Sequence, residues 1–440
     1  MNTLRLLPLV AALLATPAFA ADKDLTASVA KTYQDKLGSL FQHFHSHPEL
    51  SFMEVETSKR LAQELREAGF SVTEKVGGTG VVAMLKNGPG PLVMVRADMD
   101  ALPLQEKNEL PYASKVVAKD HEGKTFPVMH ACGHDTHITG LVGTALYMAQ
   151  NKGKWSGTLM LIGQPAEERV GGALAMKKDK LYERFGKPDY AFAWHVSADV
   201  ASGTLVASED AAYSGADSVD IVVKGIGTHG ASPHNGKDPI QIANLIYNGL
   251  QTIISREKAP REPGVITVGS FHAGTKHNII SDEARLQLTV RSENPQTRKQ
   301  LLDAIERVAK NAGRMAGMPE DLLPTVIVGE HTPPTANDTA LAKRLKAAWE
   351  KRLGPGVVAS TYTRDGMGAE DFPYFTEDPY IPSVYIRVGG TPKAVIDAAK
   401  EGKATIGYNH SPLFKADAEA AIRLGVEATV TALLDLMPKK

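Results

Sequence analysis

Apolar positions recur at helical spacing through residues 25–44, where Val29, Tyr33, Leu37, Leu40, Phe41 and Phe44 define one stripe that stops at Pro48. A second helix is predicted over 54–68, with Leu61 and Leu65 inward and Gly69 as its C-cap. Short continuous apolar runs follow at 81–85, 92–96, 157–163 and 191–195, each read as a buried strand, with an apolar helix over 138–149 between them.

The rhythm changes in the middle of the chain. Val219, Ile221 and Val223 alternate as a strand, and then come a helix at 239–255, strands at 265–270 and 284–291, a helix at 295–315 and a strand at 325–328. That β-α-β-β-α-β order is the signature of a ferredoxin-like unit, so 215–330 is read as a domain inserted into a first α/β domain made of 21–214 and 331–440. The α/β pattern resumes with a helix at 341–352, a strand at 383–388 and a closing helix at 415–436.

Charge narrows the function classes. With 49 basic and 50 acidic residues and no long run of either sign, the chain carries no footprint for nucleic acid or anionic membrane, and a small-molecule substrate is expected. Residues 1–20 read as a secretory signal peptide: Arg5, an apolar run from Leu6 to Leu14, and Ala18-Phe19-Ala20 ahead of the cleavage point. The run is too short to span a membrane, so the mature protein is expected to be secreted, to a periplasm or beyond. Cys132, the single cysteine, cannot form an internal disulfide there, and metal ligation would give the thiol a role and protection.

The chemistry-bearing residues gather where predicted strands end. Strand 92–96 runs out into Asp98 and Asp100; the segment 129–137 holds Cys132 and His134; strand 157–163 delivers Glu167 and Glu168; strand 191–195 ends in His195; and His410 lies ahead of the last helix. Thiolate, imidazole and carboxylate groups at the carboxyl edge of a sheet point to a divalent-metal centre. His43, His45 and His47 resemble a chelating tract, but residues two apart on a helix do not share a face, so they are read as structural.

Taken together, the motifs resemble the M20 family of metallopeptidases and amidohydrolases, in the branch of hippurate hydrolases and N-acyl-amino-acid amidohydrolases. The matching text is His45-Ser-His47-Pro-Glu49, Arg96-Ala-Asp98-Met-Asp100-Ala-Leu-Pro103, Met129-His-Ala-Cys132-Gly-His134-Asp, Gln164-Pro-Ala-Glu167-Glu168, Trp194-His195, His229-Gly-Ala-Ser-Pro-His234, Asn278-Ile-Ile, Gly368-Ala-Glu370-Asp371-Phe372 and Asn409-His410-Ser-Pro412. The resemblance implies a zinc-exopeptidase-like α/β catalytic domain, with the ferredoxin-like insert serving as an α+β lid and dimerisation domain of a homodimer. It implies two divalent ions, drawn from Zn²⁺, Mn²⁺, Co²⁺ and Ni²⁺, held by Cys132, His134, Glu168, His195 and His410. Which group bridges the ions stays open, because Asp98-x-Asp100 and the Cys132/His134 pair stand where more typical members have a His-x-Asp element and a bridging aspartate.

On the same resemblance Glu167 is the general base, Asp100 orients a ligating imidazole, His229 binds the carbonyl oxygen of the reacting amide, and Asn278 and Arg291 hold the substrate's carboxylate. The expected activity is hydrolysis of N-acyl or N-aroyl amino acids. A metallo-carboxypeptidase or dipeptidase acting on short peptides is the alternative, and a non-catalytic periplasmic binding protein the remote one.

Overall fold

The computed structural model describes residues 23–439; the signal-peptide reading of 1–20 lies outside them. Among the described residues no helix is long and apolar enough to cross a membrane. The chain enters as a helix, Lys23–Thr32, which continues through a π-helical turn, Tyr33–Leu37, into Gly38–Ser46. The predicted single helix is therefore interrupted by one widened turn. Helix Val55–Glu67 follows.

It leads into the strands β1 (Ser71–Val76), β2 (Gly80–Asn87), β3 (Leu92–Asp98), β4 (Gly157–Gln164), β5 (Tyr190–Ala201) and β6 (Leu205–Val206). The insert supplies β7 (Gly215–Lys224), β8 (Gly264–Ala273), β9 (Glu283–Ser292) and β10 (Thr325–Thr332), and β11 (Ser383–Thr391) then returns to the first sheet. That sheet has seven strands in the order β1-β2-β4-β3-β5-β11-β6. Its central four, β4, β3, β5 and β11, run parallel; β2 and β6 run against them, and β1 pairs antiparallel with β2 at the margin.

Parallel strands covered on both faces bury nearly every side chain, which is why these read as unbroken apolar runs. One face packs Val93, Val95, Leu159, Leu161, Phe192 and Trp194 against the helices His134–Gln150, Thr339–Leu353 and Ala418–Leu436. The other packs Met94, Ile162, Ala193 and Tyr385 against Met176, Leu181, Phe372 and Phe375. Side chains alternate along a strand, so Arg96 and Asp98 leave β3 on this second face, with Gln164 of β4, His195 of β5 and Arg387 of β11. Strand β5 does not end at His195 as expected. It runs on to Ala201 because β11 pairs with it as far as Thr391.

The second sheet has the order β8-β9-β7-β10, all antiparallel. Helices Pro239–Thr252 and Pro295–Met315 cover one face, burying Ile242, Ile246, Leu250, Leu301 and Ile305 against Val219, Ile221, Leu286 and Leu288 in a core of their own. Both helices begin with Pro at the first turn and a capping side chain: Asp238 accepts from Ile240 N and Asn294 from Thr297 N.

Candidate metal centre

Five short segments converge at the carboxyl edge of the parallel strands. Cys132 precedes helix His134–Gln150, whose first residue is His134; between them Gly133 has φ 90°, and a Cβ there would stand 2.4 Å from Val196 Cγ1. Only glycine fits, and that tight entry turns both donors to one side. Glu167 and Glu168 occupy a single turn after β4, bracketed by Ala166 at φ 48° and Val170 at φ 51°. Two left-handed non-glycine residues are costly; buried carboxylates hold the start of the turn, and Val170 N closes it on the Glu167 carbonyl (2.7 Å). Glu54 accepts from Ala166 N (2.8 Å), while Asp100 accepts from Glu167 N (3.1 Å) and Glu168 N (3.0 Å). His410 is also left-handed, φ 69°, and is fixed by its own N–H on the Ala131 carbonyl (2.8 Å) and by Asn409 Nδ2 on the Cys132 carbonyl (3.0 Å).

The donor atoms then stand at coordination spacing. Bonds of about 2.1 Å at a tetrahedral angle place neighbouring ligand atoms roughly 3.4 Å apart. Cys132 Sγ lies 3.3 Å from His195 Nε2 and 3.2 Å from His410 Nε2, and His410 Nε2 lies 3.3 Å from Glu168 Oε1. The five residues form two overlapping groups, Cys132/His134/His195 and Cys132/Glu168/His410, and Cys132 belongs to both.

Polar groups left unsatisfied test whether these residues fit a cation. His134 Nε2 is buried without a hydrogen bond, its nearest acceptors being Asp98 Oδ2 at 3.7 Å, Glu167 Oε2 at 3.9 Å and Glu168 Oε1 at 4.0 Å. Glu168 Oε1 is likewise buried with no hydrogen bond of proper geometry. Burial, followed by the charges of Glu168, Glu167 and Asp98, pushes the Cys132 thiol well above its usual range. Burial holds His195 well below the usual imidazole value, and its Nδ1 donates to the Val196 carbonyl (2.6 Å), leaving Nε2 as a lone pair aimed at Cys132. Burial opposes a charge on His134, but Asp98 and Asp100 outweigh it and raise it to about 10. A neutral imidazole, a second imidazole that attracts a cation, and a thiol and carboxylates lacking counter-charge are together what a pair of divalent ions would satisfy.

A layer behind the donors sets their orientation. His134 Nδ1 donates to the Asp100 carbonyl (2.8 Å) and lies 3.3 Å from its carboxylate, so the nitrogen facing the centre is Nε2. His137 is spent: Nδ1 donates to Asp98 (2.5 Å) and Nε2 accepts from Val196 N (2.9 Å). The histidines at 43, 45 and 47 are structural. His45 is buried between Asp135 (2.6 Å) and Glu106 (3.1 Å), while His43 and His47 stack on each other on the outer side.

Sequence reasoning assigned no role to Arg96 or to Glu370 and Asp371, which lie beside Glu167. Arg96 is fully buried, with Nη1 on Asp98 (2.5 Å), Nη2 on Glu370 (2.6 Å) and Nε on Gln164 (2.7 Å). A charge inside an apolar strand must find counter-charges, and that was the available signal. Ligand atoms of Glu370, Asp371 and Glu167 all lie within 4.8 Å of one another. Burial, then the charges of Glu370, Glu168 and Asp371, pushes the Glu167 carboxyl well above the usual range.

The centre opens into a cavity of about 540 Å³ lined by Cys132, Glu167, Glu168, His195 and His410, with Arg291 at its wall. Arg387, Arg364, Tyr213 and Tyr362 also line it, and none had been singled out from the sequence. His229 and Asn278 do not line it. His229 is exposed in a two-residue ladder with Ile279, and Asn278 is half-buried beside it, its carbonyl accepting from Gly230 N.

Comparison with known proteins agrees with this geometry. The model of peptidase family M20/M25/M40 matches residues 94–404. The chain is 37% identical over 345 residues to a hippurate hydrolase of Campylobacter jejuni, covering 78% of this chain and 86% of that one. It is 34% identical over 402 residues to a thermostable carboxypeptidase of Saccharolobus solfataricus, covering 90% and 94%. The crystal structure of a dinuclear metal binding peptidase of the M20 family from Bacillus subtilis superimposes with a TM-score of 0.75 at 28% identity, over 92% of this chain and 99% of that one.

Proposed function

The chain belongs to peptidase family M20/M25/M40, and on that premise we propose that it is a secreted, metal-dependent amidohydrolase cleaving the amide bond of N-acyl or N-aroyl amino acids. The observation that carries this reading is Cys132 Sγ shared between two donor triads, with the Glu167 carboxylate beside them in a further group with His134 and Glu168. Cys132, His134, Glu168, His195 and His410 would hold two divalent ions, which would supply Lewis acidity to the scissile carbonyl and acidify the attacking water.

The chain's own residues do the rest. Glu167 takes the proton of the attacking water and passes it to the amine nitrogen as the C–N bond breaks. Asp100 keeps Glu167 and Glu168 in their turn and His134 in one tautomer. Arg291, half-buried at the cavity wall on the lid strand, receives the free carboxylate of the amino-acid half. His229 and Asn278, lying away from their own chain's cavity, serve a neighbouring subunit's site in a homodimer. Strand β8 at the open margin of the lid sheet, with Phe271 exposed, is the surface for that contact.

A peptide substrate is the second reading, favoured by the 34% identity to the thermostable carboxypeptidase over nearly the whole chain. The test is release of free amino acid from N-acetyl, N-benzoyl and indole-acetyl amino acids and from dipeptides, with mature protein loaded in turn with Zn²⁺, Mn²⁺, Co²⁺ or Ni²⁺. Chelator-sensitive turnover of the acyl amino acids above the dipeptides is expected; the reverse ranking would make it a peptidase. Glu167→Gln is expected to lower kcat by roughly 10²- to 10⁴-fold with metal content unchanged. Loss of metal in that variant would mean that Glu167 is a ligand. Export predicts a mature N-terminus at Ala21, read directly by N-terminal sequencing.

A further inference from the structure

Three guanidinium groups line the cavity, and their partners differ. Arg364 is paired with Glu293. Arg291 has no ion pair among the described residues and is the receptor for the α-carboxylate in the reading above. Arg387 is left without a function.

Its position is specific. Arg387 is the register partner of His195 across β11 and β5, so it leaves the sheet on the same face as that metal donor. The guanidinium carbon stands 4.2 Å from the centroid of the Tyr213 ring and 5.7 Å from that of Tyr362. Its polar contacts are long and neutral, Ser197 Oγ at 3.3 Å and the Ala212 carbonyl at 3.3 Å. Asp199, the nearby acid, is taken up by the hydroxyls of Ser197 (2.6 Å) and Tyr362 (2.6 Å) rather than by the guanidinium. A half-buried cation with five N–H donors, whose polar contacts are one hydroxyl and one carbonyl at 3.3 Å, keeps donor capacity for an anion. Two aromatic rings fix its plane, so little side-chain freedom remains to be lost when an anion arrives.

We propose that Arg387 is a second anion subsite, and that the preferred substrate is an N-acyl amino acid bearing another carboxylate besides the α-carboxylate. This rests on the amidohydrolase reading and adds the substrate's charge to it. The extra carboxylate belongs either to an acidic amino acid or to an acyl group derived from a dicarboxylic acid, and the two are separable by experiment.

The test compares kcat/KM of the metal-loaded enzyme on two isosteric pairs that differ in charge: N-acetylglutamate against N-acetylglutamine, and N-succinylglycine against the corresponding succinamoyl-glycine. The acid of one pair is expected to exceed its amide by roughly 10- to 100-fold, the scale of one charge-assisted hydrogen bond, mainly through KM. The favoured pair identifies which half of the substrate carries the charge. Arg387→Gln should abolish the preference and Arg387→Lys should restore part of it.

Turnover of all four compounds by the wild type with no preference for either acid would overturn the subsite while leaving the amidohydrolase intact, and needs no variant. A preference that survives Arg387→Gln would overturn it too. Hydrolysis of none of the four by an enzyme that still cleaves N-benzoyl or indole-acetyl amino acids would overturn the subsite alone; failure on those as well, with any metal, would remove the amidohydrolase reading and the subsite with it.

Discussion

Asp100 offers the sharpest test of how the centre is held together. Its carboxylate, fully buried, accepts from Glu167 N (3.1 Å), Glu168 N (3.0 Å) and Ser51 Oγ (2.6 Å), and lies 3.3 Å from His134 Nδ1. In Asp100→Ala the Ser51 hydroxyl can turn elsewhere and His134 keeps the Asp100 carbonyl, but the two backbone N–H groups are stranded in the interior. A stranded buried donor costs about 1–3 kcal/mol, so the pair costs roughly 2–6 kcal/mol. Removing a desolvated carboxylate gives some of that back, which brings the expected loss to roughly 2–4 kcal/mol. The turn between Ala166 and Val170 is then free to relax out of its left-handed ends, carrying Glu168 away from His410. Loss of such a supporting group typically weakens metal binding by about 10- to 100-fold. Urea unfolding of the chelated protein measures the first effect, and Zn²⁺ competition against a chromophoric chelator the second. Wild-type stability together with wild-type metal affinity in Asp100→Ala would refute the idea that this carboxylate positions the glutamate turn.

Other expectations follow from the same geometry. Burial disfavours charge on His45, but Asp135 and Glu106 outweigh it and raise it to about 10. The folded-state value is raised, so the stabilisation is fully present below the unfolded imidazole value and fades as pH rises toward 10. The cost of His45→Gln should accordingly shrink between pH 7 and pH 10 in paired unfolding curves, and a pH-independent cost would contradict a charged His45. Arg96→Met leaves Asp98, Glu370 and Asp371 without their shared cation. Breaking a buried pair this way costs about 3–5 kcal/mol, so soluble yield and thermal midpoint should both collapse; a variant as stable as wild type would mean that the three acids are already neutral. Gly133→Ala drives a Cβ into Val196 at φ 90° and should yield folded protein with reduced metal stoichiometry by emission spectroscopy, since both neighbours of the displaced residue are donors. Full occupancy would show that the turn tolerates a side chain.

Much of this architecture was legible in local pattern. Backbone sterics and side-chain direction repeat every few residues, so the alternation of Val219, Ile221 and Val223, the unbroken apolar run of β4 and the caps at Asp238 and Asn294 are written where they act. The same logic separates His45, which is buried, from His43 and His47, which share the outer face four residues apart. The one-residue spacing of Cys132 and His134, and the adjacent carboxylates after β4, announced donors. Local pattern carried no information on which donors meet. Cys132 and His410 are 278 positions apart and Arg96 and Glu370 are 274 apart; they touch because the order β4-β3-β5-β11 gathers the ends of parallel strands on one edge. Glu167 owes its raised proton affinity to that gathering, and Arg387 its place in the cavity, because charge in a water-poor interior depends on distances that only the assembled sheet sets.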